Sequence, residues 1–172
     1  MQGLKEFKVP YTGLSLGKHE FQFEVDDKFF AFFDYEDLSN SKIVVDVELE
    51  KHSTMLQFFF SFNGKATVPC DRCGDDVQIT IKGEEKLIVK YGETSYIDQT
   101  DDILVISPAE HEVDLSQFVY EFVLLAIPVS HSHKDSKDCN QEVIKKLNEL
   151  SVDKEVQETD PRWAALRNIK NE

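Results

Sequence analysis

The most informative segment of this chain is Val68-Pro69-Cys70-Asp71-Arg72-Cys73-Gly74-Asp75-Asp76. Two cysteines separated by two residues can bind one tetrahedral metal ion, and a glycine directly after the second lets backbone N–H groups turn toward the sulfurs. Segments with strand-like patterns flank the stretch, which therefore predicts a Cys-x-x-Cys knuckle in a strand-connecting loop. The pair supplies only half of a closed metal site, so other ligands must come from elsewhere in the chain.

Alternating apolar and polar residues on both sides of this loop predict an antiparallel sheet. Five segments show the alternation: residues 19–25, 43–49, 56–62, 77–81 and 87–91. Asn63-Gly64 predicts a two-residue hairpin turn with positive φ angles, and Gly83 predicts a bulge or a bend. The Phe-rich segment 29–33 fits either a short helix or another strand, and its aromatic side chains are expected in the core.

The second half of the chain changes from strand to helix periodicity. Residues 103–106 predict a short buried strand, after which Asp114 is expected to cap a helix that ends at Pro128. A second helix is expected to carry four apolar residues on one side: Val143, Ile144, Leu147 and Leu150. The predicted fold class is therefore α+β, with an antiparallel β-meander or barrel-like sheet packed by C-terminal helices.

The patterning also predicts how the chain divides. Residues 1–150 are expected to form a single α+β domain, followed by a polar linker over 151–159 and a helical tail over 160–172. The tail begins with Asp160-Pro161, an N-cap followed by proline at the first helical position, and it carries Trp163. A helix this short does not persist alone, so we expect it to dock on the same chain or on a partner.

Acidic residues dominate the charge of the chain. The sequence has 33 Asp and Glu against 19 Lys and Arg, which gives a net charge of -14, and residues 91–133 contain no Lys or Arg. Because nucleic-acid binding depends on basic side chains that neutralise phosphates, direct binding of naked RNA is not expected. A basic protein partner suits this charge, although acidity that merely keeps the protein soluble explains it equally well.

Nothing in the sequence predicts export or membrane insertion. No apolar run approaches the roughly 20 residues needed to span a bilayer, and residues 1–5 lack the apolar centre of a signal peptide. The three cysteines are an odd number, which argues against a disulfide framework and favours reduced thiols or metal ligation. We therefore expect a cytoplasmic protein with no membrane partner.

The loop from His131 to Cys139 offers the missing half of the metal site. Cys70 and Cys73 together with Cys139 and one histidine would make a closed set of three cysteines and one histidine, as in structural zinc sites. His133 is preferred as the fourth ligand, with His131 as the alternative, because His133 is nearer to Cys139. A free Cys139 in an unrelated loop is the competing interpretation.

A redox use of the Cys-x-x-Cys pair is less well supported than zinc binding. Reactive thiols need a lowered pKa, usually from a helix N-terminus or neighbouring cations, whereas this loop leads into a strand and its aspartates outnumber Arg72. The sequence also lacks a Gly-rich phosphate loop, a Gly-x-Ser-x-Gly motif and a His-Glu-x-x-His motif. No catalytic residues are therefore predicted.

Taken together, the motifs make the chain similar to a known family, the large ribosomal RNA subunit accumulation proteins, or YceD-like proteins. The matching pieces are Gly17-Lys18-His19-Glu20-Phe21, Val68-Pro69-Cys70-Asp71-Arg72-Cys73, Val89-Lys90-Tyr91-Gly92-Glu93, Val113-Asp114-Leu115, Leu124-Leu125-Ala126-Ile127-Pro128 and Asp160-Pro161-Arg162-Trp163-Ala164-Ala165-Leu166. The resemblance implies a small cytoplasmic protein needed for normal accumulation of large-subunit ribosomal RNA, without established catalysis.

The chain departs from this family in one respect. Many members carry a second cysteine pair after the proline that ends the helix, whereas this sequence has only Cys139 there, with His131 and His133 upstream. Histidine substitution could preserve a zinc site, and loss of the metal is the other outcome.

Two functional hypotheses follow, beside a third in which the chain is a structural domain whose link to the ribosome is indirect. The first is a non-enzymatic factor in ribosome biogenesis that binds a basic ribosomal protein or assembly factor. The second is a metal- or thiol-dependent enzyme that acts on ribosomal RNA precursors.

Overall fold

The structure is a computed structural model, and it describes residues 4–92, 96–98 and 103–151. The strands and α-helices of this part are β1 (Lys8–Pro10), β2 (Gly17–Asp26), α1 (Asp27–Phe32), β3 (Ser39–Lys51), β4 (Met55–Pro69), β5 (Asp76–Tyr91), β6 (Tyr96–Asp98), β7 (Ile103–Ile106), β8 (Glu112–Asp114), α2 (Ser116–Leu125) and α3 (Gln141–Leu150). Short 3-10 helices lie at Lys5–Phe7 and Ser136–Asp138.

Most of the strands form one mixed sheet in the order β2-β3-β4-β5-β7-β6, and β1 pairs with β8 in a separate two-stranded ribbon. The consecutive strands β2 to β5 pair antiparallel, which confirms the α+β class and the meander. The barrel-like form is wrong: β7 joins β5 in parallel, β6 becomes the edge, and within the described residues nothing connects that edge to β2. The sheet is therefore open.

The predicted turn at Asn63-Gly64 is also wrong. β4 passes through both residues without a break, and neither has a positive φ. Gly64 lies opposite Ile43 of β3, and a Cβ on Gly64 would come within 2.5 Å of the Ile43 Cα and overlap the carbonyl oxygen of Lys42. Glycine is needed here because two backbones approach closely, and not because the chain turns.

Gly83 has a similar explanation. It lies in β5 opposite Phe62, and the pairing of β4 with β5 continues through it without a register shift, so no bulge forms. A Cβ on Gly83 would lie 2.6 Å from the Phe62 ring and 3.4 Å from the Cβ of Ala126 at the end of α2. The absent side chain makes room for a buried aromatic ring.

The Phe-rich segment is a helix. Asp26 caps α1 by accepting hydrogen bonds from the backbone N–H groups of Lys28 and Phe29, at 3.0 and 3.1 Å. The segment buries Phe29 and Phe30, packs Phe33 against the core and leaves Phe32 46% exposed, so the prediction that these aromatics belong to the core holds except for Phe32.

A second carboxylate ties α1 to the start of β3. Asp27 accepts hydrogen bonds from the N–H groups of Ser41 and Asn40, at 2.7 and 3.0 Å. The bond from Ser41 is the main reason why the pKa of Asp27 lies below its usual range.

The main core lies between the inner face of the sheet and the helices α1 and α2. Phe58, Phe60 and Phe62 of β4 are buried, and the Phe60 ring lies edge-on to Phe122 of α2 with 5.1 Å between ring centroids. Asp114 precedes α2 and accepts a hydrogen bond from the Ser116 N–H at 3.0 Å. Since each buried Phe contributes roughly 1.5–3 kcal/mol, this face is the main source of stability.

The helix α3 lies apart from this core. It contains no buried residue, and it contacts the cysteines through Val143 and Ile144, while Leu147 and Leu150 remain exposed. Residues from 152 onward, including most of the predicted linker and the tail with Trp163, lie outside the described residues, and the domain division stays a prediction. None of the described helices has the length and apolar character needed to cross a membrane.

The packing predicts that Gly64→Ala destabilises the fold by about 2 kcal/mol or more, because the added methyl group forces β3 and β4 apart. The free energy of unfolding from urea titration measures this effect. Gly13→Ala is the matched control, since nothing lies within 4 Å of a Cβ at that position. Equal unfolding midpoints for the two variants would contradict the close approach at Gly64.

Candidate metal centre

The Cys-x-x-Cys knuckle is a tight loop between β4 and β5. The Cys70 N–H donates to the Asp75 carbonyl and the Gly74 N–H donates to the Cys70 carbonyl, both at 2.8 Å. Gly74 has a φ of 80°, a left-handed conformation that glycine adopts without the steric cost of a Cβ. These features close the loop at the end of two long paired strands, which makes it a rigid platform.

The segment after α2 is attached to this platform through Asp71 and His131. The Asp71 N–H donates to the His131 carbonyl at 2.9 Å, and the His131 N–H donates to the Asp71 carboxylate at 2.7 Å. The His131 Nδ1 lies 3.0 Å from the Pro69 carbonyl, which can only accept, so Nδ1 carries the proton in this contact. His131 therefore positions the segment.

Four side chains converge beyond this attachment. The ligand atoms of Cys70, Cys73, His133 and Cys139 all lie within 4.8 Å of one another. The Nδ1 of His133 is 3.6 Å from the Sγ of Cys73 and 3.6 Å from the Sγ of Cys139. A regular tetrahedron with Zn–S bonds of about 2.3 Å and Zn–N bonds of about 2.0 Å places sulfur and nitrogen about 3.5 Å apart. The spacing and the donor set both fit one tetrahedral ion.

The cysteines are shielded from solvent. Cys70, Cys73 and Cys139 are 3%, 8% and 4% exposed, and none of them forms a disulfide. They form a small cluster separate from the main core, against which Val77 and two residues of α3 pack. Because α3 begins two residues after Cys139, the position of this helix depends on the cluster.

The knuckle and its surroundings stabilise Cys70 as a thiolate. Burial raises the pKa of Cys70, but hydrogen bonds from the backbone N–H groups of Arg72, His133 and Cys73 outweigh it and lower the pKa to about 6. The expectation that neighbouring aspartates keep the thiols protonated is therefore wrong for Cys70, because backbone dipoles and not side-chain charges dominate there. Metal binding needs the thiolate form.

Cys139 behaves differently before a metal binds. Burial raises the pKa of Cys139, and its contacts with Cys73 raise it further. The guanidinium of Arg72 opposes this shift, since its Nη1 lies 3.7 Å from the Cys139 Sγ. Three thiolates around a divalent ion leave one negative charge, and Arg72 is placed to offset it.

The structure brings together Cys70, Cys73, Cys139 and the preferred histidine, His133. It places the alternative, His131, against Asp71 and Pro69. The pairing of Asp71 with His131 was not predicted, because no local pattern indicates a contact between residues 60 positions apart.

One comparison with known proteins gives a match. A family model described as "Large ribosomal RNA subunit accumulation protein YceD" matches residues 59–170, a range that contains most of β4, the knuckle and all four clustered side chains. No curated protein and no solved structure matches the chain significantly.

The geometry predicts different results for the two histidines. His133→Ala should lower the zinc content of the purified chain from about one ion to well below one, because the fourth ligand is lost. His131→Ala should keep one ion at saturating zinc with an affinity about 10- to 100-fold weaker, since it removes only positioning contacts. Elemental analysis and competition with a chromogenic chelator measure the two quantities. The reverse pattern would make His131 the ligand.

Removal of metal should loosen the chain locally. A strong chelator should increase hydrogen exchange in residues 131–150, whose buried contacts are with the cysteine cluster, and leave exchange in β3 unchanged. Hydrogen exchange read by mass spectrometry resolves these peptides. If the chelator changed hydrogen exchange equally across the whole sheet, or left exchange in residues 131–150 unchanged, the cluster would not be what holds this segment.

Proposed function

The chain belongs to the family of the large ribosomal RNA subunit accumulation protein YceD, and on that basis we propose that it is a non-enzymatic factor that supports the accumulation of large-subunit ribosomal RNA. We propose further that it acts by binding a basic protein, either a ribosomal protein or an assembly factor. Zinc is the metal that we assign to the cysteine and histidine cluster, with a structural role.

The charge of the chain is the observation that carries the choice of partner. A net charge of -14 opposes the approach of RNA and favours the approach of a basic protein. The strand register brings Lys42, Lys65 and Lys82 together, and three lysines are few beside the number of phosphates that stable RNA binding neutralises. Any contact with ribosomal RNA is therefore made through the basic partner.

The arrangement of the four side chains supports a structural role for the metal. Catalytic zinc sites combine three protein ligands with an open position for water or substrate, whereas four protein ligands fill a tetrahedral ion. The ligand atoms of Cys70, Cys73, His133 and Cys139 all lie within 4.8 Å of one another, close enough to bind one ion together, and the three cysteines are buried. A substrate would have to displace a ligand to reach the ion.

A metal- or thiol-dependent enzyme that acts on ribosomal RNA precursors is the second candidate. The pKa of about 6 at Cys70 favours it, because a thiolate is the nucleophilic form of cysteine. The burial of Cys70 argues against it, since an exposed thiolate is needed to attack a substrate. Incubation of the purified chain with a labelled ribosomal RNA precursor separates the candidates, and cleavage that Cys70→Ala abolishes would establish the enzyme.

Binding assays with defined components test the proposed partner class. The purified chain should bind at least one member of a set of purified basic large-subunit ribosomal proteins, and the affinity should fall steeply as salt rises from low to moderate concentration. It should not retain naked ribosomal RNA under the same conditions. Retention of naked RNA by the chain alone at moderate salt, with no binding to any of the basic proteins, would overturn the proposal.

A further inference from the structure

The outer face of the sheet, which points away from α1 and α2, is open to solvent. The side chains that alternate with the buried residues along β2, β3, β4 and β5 are exposed or half-buried, so no described element covers them. One half of this face forms a shallow cavity with a volume of about 710 Å³. We call this half of the face the acidic half. Four carboxylates at outward positions line it, with Phe59 and Ser61 between them: Glu20, Asp46, Glu48 and Glu84.

The strand register places like charges against one another in the acidic half. Glu20 of β2 lies directly opposite Glu48 of β3, an arrangement that destabilises an antiparallel pair. Lys18 relieves part of this repulsion, with its Nζ 2.8 Å from the Glu48 carboxylate. Glu20 itself has no Lys, Arg or His nitrogen within 4.0 Å among the described residues. The fold therefore carries an electrostatic cost that a cationic ligand would remove.

The next row of the register holds two more carboxylates, which are separated by a neutral residue. Asp46 of β3 lies opposite Ser61 of β4, which in turn lies opposite Glu84 of β5. Asp46 accepts a hydrogen bond from the neutral amide of Gln22 at 2.7 Å, which leaves its charge unbalanced. Glu84, like Glu20, has no ion-pair partner within the described part of the chain. Two rows of carboxylates thus run across the same concave surface.

An aromatic ring lies at the centre of these rows. Phe59 occupies an outward position of β4, where the alternation of an open sheet face favours a polar residue, and it is only half-buried. The Nζ of Lys86, a residue directly opposite Phe59 in β5, lies 5.1 Å from the ring centroid. The ring therefore already attracts a cation of its own chain, and it can pack against the stem of a basic side chain from a partner.

The other half of the outer face has the opposite charge. Lys42 of β3 lies directly opposite Lys65 of β4, and Lys82 lies across from the neighbouring Asn63. Glu24 and Asp26 of β2 also lie at this end, with Asp26 directly opposite Lys42, so the lysines are only partly balanced by acids there. A basic segment would be attracted to the acidic half and repelled from the lysines, so the face defines where such a segment lies.

We propose that the acidic half is the docking surface for an extended segment of the basic partner, rich in Lys and Arg, with one of its basic side chains on the Phe59 ring. This inference rests on the proposed function, because it names the surface that the basic protein uses. The long-range attraction comes from the two carboxylate rows, and the central aromatic contact fixes the position of the segment.

The test uses a short fluorescent peptide rich in arginine and two matched triple variants of the full chain. The first triple variant combines Glu20→Gln, Glu48→Gln and Glu84→Gln. It should bind the peptide about tenfold more weakly or worse, since three charge pairs of modest strength are lost. The second triple variant combines Lys42→Gln, Lys65→Gln and Lys82→Gln. It removes the same number of charges from the same face and should bind the peptide as tightly as the wild-type chain or slightly more tightly. Fluorescence anisotropy at low salt gives the dissociation constants.

Two further variants separate recognition from folding. Phe59→Ser should weaken peptide binding severalfold, and this loss should persist at moderate salt, where charge effects are screened. Glu20→Gln alone should keep or raise the melting temperature, because it removes a repulsion without breaking an ion pair. A fall in melting temperature for Glu20→Gln would show that this carboxylate has a structural role in place of the one proposed.

The same triple variants, tested against the basic ribosomal proteins, distinguish the two proposals. If a basic protein binds the wild-type chain and both triple variants equally, or loses affinity only for the lysine variant, the docking surface is wrong and the proposed function stands. If neither the peptide nor any basic protein binds the wild-type chain, both are wrong. Loss of both peptide and protein binding in the glutamate variant alone supports the acidic half as the docking surface.

Discussion

Three sulfur atoms and one imidazole nitrogen meet where the loop between β4 and β5 contacts the segment that follows α2. The knuckle itself rests on the longest strand pair of the sheet and is closed by its own backbone hydrogen bonds. The segment after α2 has fewer contacts with the rest of the fold. It is held by two hydrogen bonds between His131 and Asp71, by the hydrogen bond from the His131 ring to the Pro69 carbonyl, and by the cysteine cluster. The helix α3 has no buried residue, so its place in the fold depends on Cys139 and the atoms around it.

The strand register separates this centre from the acidic half of the outer face. The knuckle joins β4 and β5 beyond the pair Pro69 and Asp76. Moving away from the knuckle along these two strands, the lysine half of the outer face comes first, and the pair Ser61 and Glu84 of the acidic half lies farther away. The proposed structural metal at one end and the proposed docking surface toward the other end would thus share one rigid pair of strands. Changes at the cluster should loosen α3 without altering the carboxylate rows, which gives the two sites separable effects.

Sequence patterns predicted those parts of the fold in which local and long-range preferences agree. Alternation located β2 and β3, helical spacing located α2, and the chemistry of cysteine and histidine selected the four clustered side chains. Asn63-Gly64 was misinterpreted because the local turn preference is overridden by the pairing of β4 with β3, which needs a residue without a Cβ. The low pKa of Cys70 was missed because backbone N–H directions in a loop are not visible in composition. The acidic half was not predicted, since it depends on which strands pair and in which register.

If one structural zinc ion holds the segment after α2 to the sheet, the atoms bound to that ion must be the four ligand atoms of the cluster. X-ray absorption at the zinc edge, on the full chain purified without added metal, reports the first coordination shell. The account predicts zinc with three sulfur neighbours at about 2.3 Å and one nitrogen neighbour at about 2.0 Å. Absence of zinc, or a shell in which water oxygen replaces a sulfur or the imidazole nitrogen, would contradict it.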